Sequence, residues 1–241
     1  MVYENPVALS VIIPVLNEAE NIRHLYDEIV TALPAESCAL EVVFVDDGST
    51  DGTRALLAEM AASDSRVRVV LHVRNYGQSA ALVSGARAAM HPLLVTLDGD
   101  GQNDPADIPR LLEARTHARA IVLGNRARRQ DNGLRRLSSR IGNGIRNAIL
   151  KDGCPDTGCS LKLFPRDAFL ALPHFNHLHR YLPALFLRAG FQLLNVPVNH
   201  RPRQFGVSKY GVMNRLFVGM RDLIGVRWLM ARPCSPEVID A

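Results

Sequence analysis

From Ala8 to Leu123 the chain alternates short apolar, β-branched runs with stretches of helical periodicity. That alternation predicts an α/β domain on a mostly parallel sheet, with helices on both faces. Two further observations agree. The runs end in turns rich in Asp, Asn and Gly, which places polar groups along one edge of the sheet. No internal repeat or low-complexity linker interrupts the 241 residues, enough for one large domain with a substantial core and too few to require two.

Taken in order, Ala8–Val15 reads as the first strand. Glu20–Leu33 carries Ile22, Leu25, Ile29, Val30 and Leu33 at helical spacing. Glu41–Val45 is a β-branched strand bounded by Asp46, Asp47 and Gly48, and Asp51 can cap the helix that follows through Leu56, Leu57 and Met60. Val67–Leu71 is a third strand, Ser79–Met90 an Ala-rich helix, and Leu93–Leu97 a fourth strand. Asp104-Pro105 supplies a capping residue followed by Pro at the first helical position. Ile121–Leu123 is a fifth strand, and the regular alternation stops near Gly124. Beyond it the elements are shorter and more mixed, including a polar stretch from Asn132 to Arg146.

Composition is that of an ordinary globular protein, 47% hydrophobic and 22% charged. The net charge of +4 is unevenly spread, with Arg dominating Arg126–Arg146 and Arg201–Arg232. Such clusters suit phosphates or an anionic membrane surface. Nucleic acid is disfavoured, because no basic motif interleaved with aromatic residues is present. Cys38, Cys154, Cys159 and Cys234 form no C-x-x-C pair, so reduced, intracellular thiols are expected, with Cys154 and Cys159 in the core. Met1–Pro6 has no signal-peptide pattern, and no apolar stretch reaches the ~18 residues of a membrane span.

The stretch Asp98-Gly99-Asp100-Gly101-Gln102 follows the fourth strand, at the end where open α/β sheets bind ligands. Two carboxylates and an amide oxygen at i, i+2 and i+4 can converge on one hard cation, Mg²⁺ or Mn²⁺, which commonly shares its coordination with substrate phosphates. An ordinary acidic turn is the competing account. The second strand delivers Asp46 and Asp47 to the same edge, where carboxylates can accept from a base N–H and ribose hydroxyls, whereas turn and cap chemistry accounts for Asp51. No G-x-G-x-x-G follows the first strand and no G-x-x-x-x-G-K-[ST] occurs, so a dinucleotide fingerprint and a P-loop are both missing.

Pro14–Ile22, Asp46–Thr53 and Asp98–Pro105 together resemble family 2 glycosyltransferases of the GT-A fold. Asp156-Thr157-Gly158-Cys159-Ser160-Leu161-Lys162 and Arg203–Tyr210 resemble the polyprenyl-phosphate branch, which includes dolichol-phosphate mannosyltransferase. The resemblance runs from Leu9 to Tyr210 and implies a nucleotide-sugar donor and a polyprenyl phosphate acceptor. It would place Pro14, Glu18 and Asp46 or Asp47 on the nucleoside and Arg74 near the nucleotide, with Asp98, Asp100 and Gln102 on the metal. Arg126, Arg136 and Ser139 would face donor or acceptor phosphates, Arg135 competing with Arg136 for that role. Arg203, Ser208 and Lys209 would lie on a loop closing over the site, and Asp156 would act as base or orienting group unless it is only a turn residue. Gly101 departs from the family, which often has a bulky apolar residue there. On this reading residues 1–210 form the transferase domain, and 211–241 an amphipathic helix and tail belonging to the same unit.

A lipid phosphate is already ionised at neutral pH, with about −1.5 to −2 charges on a monoester, and needs no protein base to attack; a sugar hydroxyl does. The basic clusters would then bring two anionic substrates together. The expected reaction is inverting, metal-dependent sugar transfer to a polyprenyl phosphate. The alternatives are a family 2 transferase using a glycan hydroxyl, or a nucleotide-sugar binding protein without turnover. His174, His177 and His179 lie among Phe175, Leu178, Tyr181 and Leu182, which favours a packed surface segment over a zinc site, while His179-Arg180 could meet the acceptor head group. Met213, Leu216, Phe217, Met220, Leu223, Ile224 and Trp228 recur at spacings of three and four among Arg215, Arg221 and Arg227. That pattern suits a helix lying in a membrane interface, with the domain's own core as the competing surface. Peripheral attachment at the cytoplasmic face is expected, either directly or through a membrane-protein partner.

Overall fold

In the computed structural model the described residues are 7–126, 142, 144–202 and 212–232, the side chains of 212–218 excepted. Seven strands form one sheet in the order β3-β2-β1-β4-β6-β5-β7. They are β1 (Val7–Val15), β2 (Cys38–Asp46), β3 (Val67–Leu71), β4 (Leu93–Thr96), β5 (Ala120–Asn125), β6 (Lys162–Pro165) and β7 (Gln192–Pro197). Pairing is parallel except at β6, which lies antiparallel between β4 and β5. The helices labelled here are α1 (Ala19–Ala32), α2 (Thr53–Ser63), α3 (Gln78–Ala88), α4 (Ile108–Ala114), α5 (Arg166–Leu170), α6 (Leu182–Arg188) and α7 (Val212–Met230), and residues 144–150 are also helical.

Alternation along each strand divides the core. In β1, Leu9, Val11, Ile13 and Val15 face one cluster with Ile22, Leu25 and Ile29 of α1, Leu57 of α2 and Leu111 of α4. Ile12 of β1 and Val43 and Val45 of β2 face the other, with Ala81 and Leu82 of α3, Phe169 of α5 and Leu185 and Phe186 of α6. Two-residue periodicity therefore puts α1, α2 and α4 on one face and the remaining packed helices on the opposite face.

The first half keeps the sequence-predicted order with small boundary shifts. β2 begins at Cys38, because its parallel register with β1 starts at Val7↔Cys38. Asp104 accepts a hydrogen bond from the Ala106 N–H, but the first turn it caps is a 3₁₀ turn, Pro105–Asp107, which continues into α4. β6 and β7 have no counterpart in the sequence reading. β6 is four residues long and opens with a buried lysine, which no apolar pattern announces. β7 is a half-exposed edge strand with little alternation to read.

The C-terminal helix corrects one expectation. Its apolar residues do not share a single face. Leu223 and Val226 are buried in the second cluster, while Met220, Ile224 and Trp228 point outward at i, i+4 and i+8. The helix is also held by Tyr181 Oη donating to the Gly219 carbonyl at 2.8 Å and by Arg188 Nε donating to the Leu229 carbonyl at 2.8 Å. A spacing of three and four is shared by both stripes, so periodicity merged what packing separates.

Candidate active site

The carboxyl ends of β1, β2 and β4 converge on a set of loops that hold one another. Asn17, with φ of 51°, donates its backbone N–H to Ser49 Oγ at 2.8 Å and accepts the Thr50 N–H on Oδ1 at 2.7 Å. The Glu18 N–H donates to Thr53 Oγ1 at 3.1 Å, and the Glu18 carboxylate accepts from Asn21 Nδ2 at 2.7 Å. Pro14 sits in β1 opposite Val45. Gly48, with φ of +87°, lies against the backbone of Arg74 and Asn75; a Cβ there would come within 2.5 Å of the Arg74 carbonyl carbon. Only glycine satisfies both demands.

Asp46 and Asp47 are buried and engaged by the protein itself. Asp46 pairs with Arg54 Nε at 2.6 Å and accepts the Ser49 N–H at 3.1 Å, while Arg54 also donates to the His72 carbonyl. Asp47 accepts the Tyr76 and Gly77 N–H groups at 2.8 Å each and meets His72 Nδ1 at 2.7 Å. Both acids of the pair are thus engaged by loop N–H groups and by basic side chains. Their immediate work is to shape the loops after β2 and β3. Arg74 is exposed on the second of these, with its guanidinium 5.1 Å from the Tyr76 ring centroid.

Asp98 and Asp100 follow β4. Asp98 Oδ1 accepts from Gln78 Nε2 at 2.7 Å, and Asp100 Oδ1 accepts the Gln102 N–H at 3.1 Å. Gly101 has φ of +70°, a left-handed conformation that a bulky residue would strain, with open space around it. Gln102 ties the turn onward by accepting the Arg201 N–H at 2.9 Å on its carbonyl. Burial and the neighbouring Asp100 charge push the Asp98 carboxyl up to about 6, against the opposing pull of the Ser160 hydroxyl, Lys162 and Arg126. An acid whose ionisation is opposed by a second carboxylate beside it belongs to a donor set that a divalent cation relieves. Among the described residues no group of three or more His, Cys, Asp or Glu is arranged to hold a metal. A hard cation here would therefore complete its shell with Gln102, water and substrate oxygens.

Arg126, just past β5, lies within electrostatic reach of Asp98. Asp156 grips it with two hydrogen bonds, Nε to Oδ2 at 2.7 Å and Nη2 to Oδ1 at 2.8 Å. Burial acts to lower the guanidinium's pKa, but the hydrogen bond and charge of Asp156, with the more distant charges of Cys159 and Asp98, raise it above the ordinary value. Both Asp156 carboxylate oxygens are therefore engaged in orienting the Arg126 guanidinium.

The loop carrying Asp156 is built on two buried cations. Arg146 donates to Thr157 Oγ1, the Cys154 carbonyl and Asp152. Lys162 Nζ donates to the carbonyls of Thr157 and Cys159, and burial lowers its pKa. Arg201 clamps the other side, bonding Glu28 and Asp104 at 2.6 Å each. Cys154 and Cys159 are buried in the core.

Sequence reasoning assigned no role to Gln78 or Lys162, and it counted Arg146 and Arg201 in basic clusters suited to phosphates, whereas both are engaged by groups of the protein itself. Lys162 lay inside a quoted motif, but a lone lysine gives no sign of burial, and nothing marks Gln78 apart from its place after Gly77. The three histidines have protein partners: His174 Nε2 lies 3.2 Å from the Phe169 carbonyl, His177 Nδ1 3.0 Å from Asp222, and His179 Nδ1 2.8 Å from Ser79 Oγ. Arg136, Ser139, Arg203, Ser208 and Lys209 lie outside the described residues.

Comparison with known proteins agrees with this geometry. The Glycosyl transferase family 2 model matches residues 10–172, and the chain belongs to that family. It is 36% identical over 217 residues to undecaprenyl-phosphate 4-deoxy-4-formamido-L-arabinose transferase of Edwardsiella ictaluri, covering 90% of this chain and 66% of that protein. The proteins of the same name from Sodalis glossinidius and Yersinia pestis match at the same identity and coverage. The chain thus spans a little under two thirds of the length of these relatives. Among solved structures it resembles glucosyl-3-phosphoglycerate synthase of Mycobacterium tuberculosis in complex with Mn²⁺, UDP-glucose and glycerol 3-phosphate. That match has a TM-score of 0.64 at 21% identity and covers 96% of this chain and 82% of that one. The complex of the same enzyme with Mg²⁺ and UDP gives a TM-score of 0.63 at 20% identity, covering 96% and 81%. The shared architecture is the GT-A fold.

Proposed function

We propose that this chain transfers a sugar from a nucleotide-sugar donor to a polyprenyl phosphate, with inversion at the anomeric carbon. The observation that carries the proposal is the acid pair Asp98 and Asp100 after β4, with a guanidinium, Arg126, that Asp156 holds in place within electrostatic reach of Asp98. The acids would hold Mg²⁺ or Mn²⁺ with Gln102, and Arg126 would hold phosphate oxygens. The names of the relatives support a polyprenyl phosphate acceptor, and the ligands of the fold neighbours support a divalent cation. A bound cation supplies charge neutralisation on the departing diphosphate.

One bond forms, from a phosphate oxygen of the lipid to the anomeric carbon, and one breaks, from that carbon to the nucleoside diphosphate. No proton has to leave the nucleophile, which fits a site in which Asp156 is already committed to Arg126. The loops stitched by Glu18, Asp46 and Asp47 would form the nucleoside end, beside Pro14 and Arg74. From the family pattern, Arg136 and Ser139 would meet phosphates, and Arg203, Ser208 and Lys209 would close over them.

Access to a lipid acceptor would come through α7. No helix among the described residues is long and apolar enough to cross a membrane. The outward stripe of Met220, Ile224 and Trp228 is flanked by the exposed Arg221 and Arg227, a pattern suited to an anionic surface on the cytoplasmic side.

The test is transfer from a panel of radiolabelled nucleotide sugars, with and without a short polyprenyl phosphate and with and without chelator. Metal-dependent label in the lipid phosphate fraction is expected. Transfer to glycan hydroxyls in the absence of lipid phosphate would replace the proposal with the hydroxyl-acceptor reading. Donor binding without turnover on any acceptor would mark a binding protein.

A further inference from the structure

The first turn of α3 is held from two sides and touches a candidate metal ligand. On one side, Asp47 accepts the N–H groups of Tyr76 and Gly77, and Gly77 adopts φ of +90°. On the other, Ser79 Oγ meets His179 Nδ1 at 2.8 Å. Between them, Gln78 reaches 2.7 Å to Asp98 Oδ1. An ionised carboxylate offers only acceptors, so the amide must present its NH₂ group.

We infer that Gln78 is a positioning residue for the cation: its amide fixes the orientation of the Asp98 carboxylate, and the Asp47 and His179 contacts fix Gln78. The inference deepens the metal-dependent reading and rests on it. Carboxylate ligands rotate freely unless a neighbour holds them, and a cation that finds its ligand already oriented binds without ordering it. The arrangement also joins two parts of the site. The loop shaped by Asp47, on the proposed nucleoside side, ends in the residue that orients the acid on the proposed diphosphate side. Gln78 itself is assigned no contact with the cation or the sugar.

The test uses Gln78→Met, which keeps the side-chain length and removes the donor, and Gln78→Ala as a second variant favourable to the helix. Mn²⁺ binding is read from the electron paramagnetic resonance signal of the free ion, with Mn²⁺ alone and then with UDP or GDP. Both variants should bind Mn²⁺ about tenfold more weakly than the unsubstituted protein. Their melting temperatures should stay close to it. In the transfer assay, the Mn²⁺ concentration for half-maximal rate should rise by about the same factor, and kcat should recover at saturating metal. A change of less than twofold in Mn²⁺ affinity in whichever variant folds would overturn the inference. So would a rate deficit that excess metal does not repair. Absence of Mn²⁺ binding by the unsubstituted protein would instead remove the metal reading itself, and this inference with it.

Discussion

A buried acid and a half-buried one at opposite ends of the same sheet have opposite fates. Glu41 lies toward the amino ends of β1, β2 and β4. It accepts from Ser10 Oγ at 2.5 Å, Arg68 Nε at 2.6 Å and the Met90 N–H at 2.9 Å. Burial alone would raise its pKa, but the Ser10, Met90 and Arg68 contacts together hold it below the ordinary value. Asp98, at the carboxyl end of β4, is displaced upward by burial and by Asp100. The same residue class is satisfied in one place and left electrostatically strained in the other. A carboxylate matched to its donors stabilises a fold. One pressed against a second carboxylate is held at a cost, and such costs cluster where a ligand will repay them.

Removing an acid at the strained end should give the largest effect. Asp100→Ala is expected to lower transfer by at least about 10³-fold, the scale of losing a principal electrostatic stabiliser. Thermal stability should hold or rise, because one of two repelling charges is gone. Transfer rates measured beside melting curves decide the matter. Full activity in Asp100→Ala, or in excess chelator, would end the metal mechanism and make this end of the sheet no different from the other.

Asp156 belongs with Glu41 by its partners and with Asp98 by its position. Asp156→Asn should cost about 10- to 100-fold in kcat through loss of the Arg126 clamp. Because the clamp works through geometry, the loss should be the same across pH 6 to 9. The double variant with Arg126→Ala should be hardly slower than Arg126→Ala alone. A general base would behave otherwise: its loss would change the shape of the pH–rate profile and would add to that of Arg126.

The sequence exposed these regions unequally. Strand ends are easy to find, because apolar runs stop at Asp and Gly, so Asp46, Asp47, Asp98 and Asp100 could be named and placed at one edge. What each acid faces depends on residues far away in the chain. Asp47 meets Tyr76 and Gly77, Asp156 meets Arg126, and Asp98 meets Gln78, and none of these partners is fixed by local spacing. β6 escaped notice for a related reason: a four-residue strand buried between two others needs no alternation and tolerates Lys162 because backbone carbonyls receive its ammonium group. The split of α7 into an inward and an outward stripe was likewise a property of its neighbours.

At the satisfied end, Glu41→Gln should leave transfer per folded molecule unchanged and cost about 1–3 kcal/mol of stability, the range for unpairing a buried charged contact. The pH dependence has a definite sign. A carboxyl with a lowered folded-state pKa contributes stability that is complete above its unfolded value, about 4.3, and is lost as pH falls through the folded value. Denaturant midpoints measured from pH 6 down to pH 3 should therefore converge for the two proteins on acidification. Parallel curves would mean that Glu41 is not the acid-sensitive group.

The smallest effect on chemistry should come from the outward face of α7. Met220, Ile224 and Trp228 are exposed, and Arg232 lies over the Trp228 ring at 5.1 Å, so the stripe combines apolar reach with positive charge. Burying one such side chain contributes about 1.5 kcal/mol or more. Each Arg near an anionic surface adds about 1 kcal/mol. Ile224→Glu removes the first kind of contribution and opposes the second, so partition onto anionic vesicles should fall by at least about tenfold. Leu223 and Val226 still seat the helix, so the melting temperature should not move. Transfer to a short, water-soluble polyprenyl phosphate should continue at the original rate, and only transfer to a long acceptor embedded in vesicles should slow. Blue-shifted Trp228 fluorescence on vesicle addition, lost at high salt, is the accompanying signal. Equal flotation of Ile224→Glu and unsubstituted protein with anionic vesicles would show that this stripe is not the anchor, and would pass the task of reaching the lipid to a membrane-protein partner.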